Sequence, residues 1–290
     1  MNILEYETTQ ELKSHGQDNF PFNIYLCSIP LDFAAIPLHW HNDMEIIYIK
    51  KGRGCIRVNL SPFLVQEGDI VIVLPGQLHS IEQYENFSME YENIIFQLSM
   101  LMTAQKDTCT SNFFEPLLQQ KITLPNLCST SCENYGILSG CLDALDEICR
   151  TASPGYHMAV KGQLFSFFFG LISSLSAPLT VHQDKSLDRL KELLKHVETN
   201  YGQKITVDNA AAICGFSKSH FMKFFKHTMG ISFIEYLNDY RLIMAARLLA
   251  TSSDSVVSIS EETGFENLSY FNRIFKRKFG CTPTQLRKRE

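Results

Sequence analysis

Much that would place this chain outside the cytosol is missing from it. Its nine cysteines are odd in number and scattered, and no two form a Cys-x-x-Cys pair. A disulfide framework is therefore not expected, and the thiols read as reduced and mostly buried. Cys128 and Cys132 are the one close pair, and their spacing alone points to neither metal nor redox chemistry. The first ten residues hold no basic region and no apolar core, so no secretory signal is expected. The most apolar run, residues 164–175, is too short to span a bilayer and is interrupted by serine and glycine. These absences predict a cytoplasmic protein with no membrane partner. There is a single tryptophan, Trp40, and no excess of positive charge: the formal net charge is −5. Taken whole, that balance is wrong for a nucleic-acid binder.

The charge is unevenly spread. From Asp184 onward the chain has 17 Lys and Arg against 12 Asp and Glu, a balance of +5; the part before it has 9 against 19, a balance of −10. Phosphate contact needs local rather than overall positive charge. The C-terminal part is thus the candidate for nucleic acid, and the acidic part for some other task. With 290 residues the chain has room for two domains.

The basic part contains one pattern twice. The first copy runs from Gly215 through Phe221 and Phe225-Lys226 to Gly230. The second runs from Gly264 through Phe271 and Phe275-Lys276 to Gly280, with one extra residue in its turn. A helical stretch precedes each copy, which makes the unit helix, glycine-containing turn, second helix. That is the helix-turn-helix layout, whose second helix enters the DNA major groove. Helix starts are marked by Thr206, Ser217, Ser232 with Glu235, Ser258 with Glu261, Asn267, and Thr282 before Pro283. Gly215, Gly230, Gly264 and Gly280 stand where helices stop. Seven helices follow from these marks, a long one near 233–250 joining the two units.

Helical spacing sorts each reading helix into two faces. Phe221, Phe224 and Phe225 share one side, as do Phe271, Ile274 and Phe275, and both sets read as core. The opposite sides carry Ser219, Met222, Lys223 and Lys226 in the first unit, and Leu268, Ser269, Asn272, Arg273 and Lys276 in the second. Arg273 has the fork for a guanine edge, Asn272 suits adenine, and Met222 or Leu268 suits a thymine methyl. Lys226, Lys276 and Arg277 suit phosphates.

This half resembles the AraC/XylS family of bacterial transcription regulators. The second unit is similar to the family's signature at Ile259, Gly264-Phe265, Tyr270-Phe271, Arg273, Phe275-Lys276, Gly280, Pro283 and Arg287. The first unit is similar at Ala211, Gly215 to Ser217, Phe221, Phe225-Lys226, Gly230, Tyr236, Arg241, Ala245 and Leu248-Leu249. Ser260 departs from the pattern where alanine is usual, a small change on a buried face. The resemblance implies two reading helices entering successive major-groove segments on one face of an operator.

From residue 37 to 80 the acidic half reads as short strands separated by turns. Strands are expected at 45–49, 55–60 and 70–74, with turns at 51–54, 66–69 and 75–76. Evenly spaced short strands predict a small barrel. His39 and His41 alternate along a strand and so point the same way. With Glu45 and His79 they form a plausible ligand set for Zn, Ni, Mn or Fe; equally, they form a polar pocket wall. The region resembles the cupin barrel, seen as His39-x-His41, Glu45 and Gly52, then Gly68, Pro75-Gly76 and His79, with Pro75 and Gly76 adjacent where the pattern has a residue between them. Cupin sensor domains joined to AraC-type domains often bind an organic effector without metal. The resemblance thus implies effector binding at His39, Trp40, His41, Glu45 and His79. No cofactor is required, and a divalent metal ion at His39, His41, Glu45 and His79 is the one the barrel admits.

Two helical stripes follow. One spans 135–151 with Leu138, Cys141, Leu142, Leu145, Ile148 and Cys149; the other spans 157–176 with Leu164, Phe165, Phe168, Leu171, Ile172 and Leu175. They cover the barrel or, as the family resemblance suggests, pair with a second subunit around Leu142, Leu145 and Phe168. The expected organisation is α+β: a cupin-like effector-binding barrel over residues 1–130, a helical dimerisation segment over 131–177, a linker over 178–185, and an all-α DNA-binding domain with two helix-turn-helix units over 186–290. The expected function is a ligand-responsive regulator, not an enzyme, with double-stranded operator DNA, a small-molecule effector such as a sugar, RNA polymerase and a second copy of itself as partners. The resemblance leans towards activation of a sugar-utilisation operon. The alternatives are a cupin-type metalloenzyme fused to a DNA-binding domain and a metal-sensing regulator.

Overall fold

The structure is a computed structural model that describes residues 15–17, 19–105, 107–174 and 185–288. Residues 178–184 of the expected linker lie outside the described residues, and Lys185 is the first residue of a helix. The chain divides into two compact units, one spanning Gln10–Gln183 and one containing Asp184–Glu290.

The first unit is built on eight antiparallel strands: β1 (Phe22–Ile29), β2 (Ala35–His39), β3 (Met44–Val58), β4 (Ser61–Gln66), β5 (Ile70–Val73), β6 (His79–Gln83), β7 (Met89–Phe96) and β8 (Leu127–Cys128). β3 is the shared element. Its first half pairs with β5 and β7, and its second half with β4 and β6; β2 closes on β6 and β1 on β7. The expected turn at 51–54 is not a turn. β3 passes through it for 15 residues, with its register against β7 shifting between Ile49 and Lys51. Gly52 absorbs the bend at φ +79°, where a Cβ would collide with the Ser88 carbonyl. A glycine that looks like punctuation therefore bends a strand without ending it. The chain reverses instead at Asn59 and Leu60, both left-handed, and leads into β4, a strand that no expectation anticipated.

Alternation along β3 gives the sheet two faces. Met44, Ile46 and Tyr48, with Ile70 and Ile72 of β5 and Ile94 and Phe96 of β7, turn outward. There they meet α2 (Tyr135–Thr151) and α3 (Tyr156–Ser173), which follow the short α1 (Glu115–Leu118). Leu138, Cys141, Leu142, Leu145, Leu164, Phe167, Phe168 and Leu171 complete this core. Of the two expectations for these helices, covering the barrel and pairing with a second subunit, Leu142, Leu145 and Phe168 serve the first: they are buried inside this unit. The large apolar residues left exposed on α3 are Met158, Phe165 and Phe169, at 77%, 39% and 67%. The intervals of seven and four residues set them on one side of the helix.

The second unit contains, among the described residues, seven helices: α4 (Lys185–Asn200), α5 (Val207–Ile213), α6 (Lys218–Met229), α7 (Phe233–Thr251), α8 (Val256–Glu262), α9 (Leu268–Phe279) and α10 (Pro283–Arg287). Thr206, Ser217, Ser232, Asn267 and Thr282 each cap a helix by accepting the backbone N–H three residues on. α8 begins earlier than expected. Ser255 is its cap, accepting from the Ser258 N–H at 3.0 Å, so Ser258 lies inside the helix. Phe221 and Phe225 pack on Phe233 of α7, and Phe271, Ile274 and Phe275 pack against Leu242, Ala245, Ala246 and Leu249. Arg241 of α7 is 9% exposed and donates to the carbonyls of Tyr201 and Gln203, both at 2.8 Å. Gly264, at φ +85°, leaves room for this arginine; a Cβ there would lie 2.8 Å from its guanidinium. Among the described residues no helix is long and apolar enough to cross a membrane.

Candidate nucleic-acid interface and buried histidine cluster

Each helix-turn-helix unit places its second helix, α6 or α9, with the aromatic side in the core and the polar side in solvent. Ser219, Lys223 and Lys226 are exposed on α6, and Met222 is 48% exposed. On α9, Ser269, Arg273 and Lys276 are exposed, Leu268 is 36% exposed, and Asn272 is half-buried. The last turns carry Lys226 and His227 on α6, and Lys276, Arg277 and Lys278 on α9, where cations complement the helix dipole. Lys278 also pairs with Asp239 of α7 at 3.1 Å. Two residues that no base-reading pattern picks out join this surface. The ring of Tyr270 lies under Arg273, and its hydroxyl accepts a hydrogen bond from Asn238 of α7.

In the first unit, four of the expected site residues converge. His39 ends β2 and stands across from His79, which begins β6. Glu45 is the second residue of β3, opposite Val73 and Ile95. His41 lies in the bend between β2 and β3, where its carbonyl accepts from Gly76 at 2.7 Å and so holds the Pro75-Gly76 turn. All four side chains are buried: 6% exposed for His39, 3% for His41, 2% for Glu45 and none for His79. Their ligand atoms lie within 4.8 Å of one another. Trp40 is half-buried.

The hydrogen bonds fix how the imidazoles are presented. Nδ1 of His39 bonds the Pro37 carbonyl at 2.9 Å, that of His41 the Asp43 carbonyl at 3.0 Å, and that of His79 the Gln77 carbonyl at 3.0 Å. A carbonyl only accepts, so each Nδ1 carries the proton and each Nε2 is turned inward. Outer-shell bonds of this kind orient histidine towards a metal. Nε2 of His41 and Nε2 of His79 each lie 2.8 Å from the same Glu45 oxygen. That closeness requires either a second proton on each ring or a cation shared by all three groups. The His79 contact is poorly aligned, and among the described residues its Nε2 has no hydrogen-bond partner.

Burial pushes the Glu45 carboxyl up, but the charge of His79, the close Nε2 contacts and the charge of His41 outweigh it, holding the group well below the usual carboxylate range. His39 is pushed down to about 3 by burial and by His79, against the pull of Glu45. Three inward-turned Nε2 atoms beside a buried carboxylate are a donor set that fits a divalent ion, and their span is close to the width of one ion with bonds of about 2.1 Å, roughly twice that length. His15, which no motif marked, is also buried. Its Nδ1 lies 3.1 Å from the Tyr25 hydroxyl and its ring 6.4 Å from that of His41.

Residues 31–168 match the AraC-like ligand binding domain, and residues 210–289 match a helix-turn-helix domain. The chain is 25% identical to the uncharacterized HTH-type transcriptional regulator YdeC of Bacillus subtilis, over 99% of this chain and 98% of that one. It is 23% identical to the HTH-type transcriptional activator RhaS of Escherichia fergusonii, over 95% and 96% of the two chains. Among solved structures, fatty-acid-bound ToxT from Vibrio cholerae gives a TM-score of 0.39 at 17% identity, over 92% of this chain and 94% of that one. With a ligand-binding domain followed by a helix-turn-helix domain, the chain belongs to the AraC family and is a ligand-responsive transcriptional regulator, not an enzyme.

Proposed function

We propose that this regulator senses its effector at the buried cluster, with a divalent metal ion held by His39, His41, Glu45 and His79 as part of the sensing site. The observation that carries this is the set of three Nδ1–carbonyl bonds, which leaves three Nε2 atoms converging on one carboxylate. His39, His41, Glu45 and His79 would hold such an ion, which would supply the positive charge that Glu45 requires and a Lewis-acidic contact for oxygen ligands. The effector that suits it is a small molecule with adjacent hydroxyl or carboxylate oxygens, which a sugar or sugar acid supplies, and the regulated operon is one for its use. A second reading, in which the ion is itself the signal, is favoured by the burial of all four residues. Purified full-length protein should carry about one divalent ion per chain. His41→Ala with His79→Ala should abolish that ion, keep DNA binding, and remove the response of DNA affinity to a panel of sugars and to chelator. A metal-free wild type with an intact sugar response would overturn the metal; an unchanged response in the double variant would remove the histidines from sensing.

On DNA, Arg273 reads a guanine and Asn272 an adenine, while Met222 and Leu268 meet thymine methyls. Ser219, Lys223 and Ser269 complete the reading surface, and Lys226 and Lys276 hold phosphates. Arg273→Ala should lose about 1–3 kcal/mol of discrimination at one base pair. Lys276→Ala should weaken binding to all sequences alike and lower the salt slope by about 1. Titrations on selected and random duplexes check both; equal weakening on the two by Arg273→Ala would remove its reading role.

In the working protein, residues 1–130 hold the effector, 131–177 pair two subunits, 178–185 link, and 186–290 bind the operator, in the cytoplasm and beside RNA polymerase as an activator. The exposed Met158, Phe165 and Phe169 side of α3 is the pairing face, since Leu145 and Phe168 are already used within one chain. Phe169→Lys should give folded monomers in sedimentation, with an unfolding midpoint that no longer depends on protein concentration. Leu145→Ala should instead cost about 2–5 kcal/mol of stability in urea. A Phe169→Lys protein that stays dimeric would move the pairing face elsewhere.

A further inference from the structure

Arg273 and Tyr270 stand one turn apart on the exposed side of α9, with the guanidinium 5.4 Å from the centre of the tyrosine ring. Tyr270 is 38% exposed, so burial alone does not hold that ring. Its far end is tethered: the hydroxyl accepts a hydrogen bond from Nδ2 of Asn238 at 3.1 Å. Asn238 lies on α7, the helix that joins the two reading units, and is flanked there by the buried Leu237, Tyr240, Arg241 and Leu242. The tether therefore starts from a seated element.

An unsupported arginine on a helix surface spreads over many rotamers, and ordering a side chain of that length costs conformational entropy. A flat ring beneath the guanidinium selects orientations in which the fork lies parallel to it. The first unit lacks this arrangement. By the alignment of Phe221 with Phe271, its equivalents of Tyr270 and Arg273 are His220 and Lys223. The His220 ring packs instead on Phe216, 4.4 Å between centroids, and a lysine has no plane to stack.

We propose that Tyr270 is a positioning residue for Arg273. Its ring, tied through Asn238 to α7, sets the direction in which the arginine meets a guanine edge, and base discrimination is thereby concentrated in the second unit. The inference rests on Arg273 reading a base. It is tested with full-length protein on duplexes selected from a randomised pool, on the same duplexes with each base pair replaced singly, and on random DNA across a salt series. Tyr270→Ala should lower discrimination about two- to fivefold at the base pair lost in Arg273→Ala, the scale of an exposed cation–π contact. Affinity for random DNA and the salt slope should not move. Tyr270→Phe and Asn238→Ala, which keep the ring and cut the tether, should give a smaller loss at the same base pair; they decide the matter if Tyr270→Ala does not fold. Tyr270→Ala added to Arg273→Ala should cost nothing further there. Equal weakening on selected and random DNA would make Tyr270 a structural residue only. A base-pair loss in Arg273→Ala with none in the Tyr270 and Asn238 variants would overturn the positioning role and leave the reading role standing. No base-pair-specific loss in Arg273→Ala would overturn both.

Discussion

A carboxylate buried to 2% exposure has to be compensated, because a lone charge removed from water is too costly to keep. Glu45 meets this constraint through His41 and His79, each within 2.8 Å of one of its oxygens. Those rings are in turn pinned by the carbonyls of Asp43 and Gln77. The arrangement fixes the loop between β2 and β3 and the entry to β6, so the shape of this end of the first unit follows from how one negative charge is satisfied. It also makes the cluster chemically demanding. The rings must be doubly protonated or must share a cation.

The same strand that carries Glu45 inward carries Met44 and Ile46 outward onto α2 and α3. A change in how Glu45 is held therefore acts on a strand whose other face is packed on the helices that bear the exposed Met158, Phe165 and Phe169. Within this unit the buried histidine cluster and the proposed pairing face are separated by one layer of sheet and one layer of helix. Close packing makes such a stack respond as a unit, because interiors at crystal-like density have little slack.

Where a residue pattern carried a physical requirement, it was legible. His39, His41, Glu45 and His79 could be grouped from spacing, because strand alternation and a shared chemistry left few other arrangements. Five of the six expected helix caps stand where polar side chains are needed to satisfy free N–H groups. The sixth slipped because Ser255 and Ser258 are equally good caps on paper. Gly52 misled because positive φ serves a bulge as well as a turn. On α3, phenylalanines at 165, 167, 168 and 169 surround the helix, so periodicity does not say which face the barrel covers; Phe168 is buried and Phe169 is not. Tyr270, Asn238 and His15 act through partners distant in sequence, Asn238 and Tyr270 being 32 residues apart, and no local pattern encodes such contacts.

X-ray absorption at the metal edge of full-length protein purified without chelator reads the Glu45 cluster directly. A metal held there gives nearest neighbours of nitrogen and oxygen only, at about 2.0–2.2 Å, with imidazole scattering from three rings and one ion per chain, which is the expected result. A chain carrying no ion in stoichiometric amount, or an ion bound through cysteine sulfur, would contradict it.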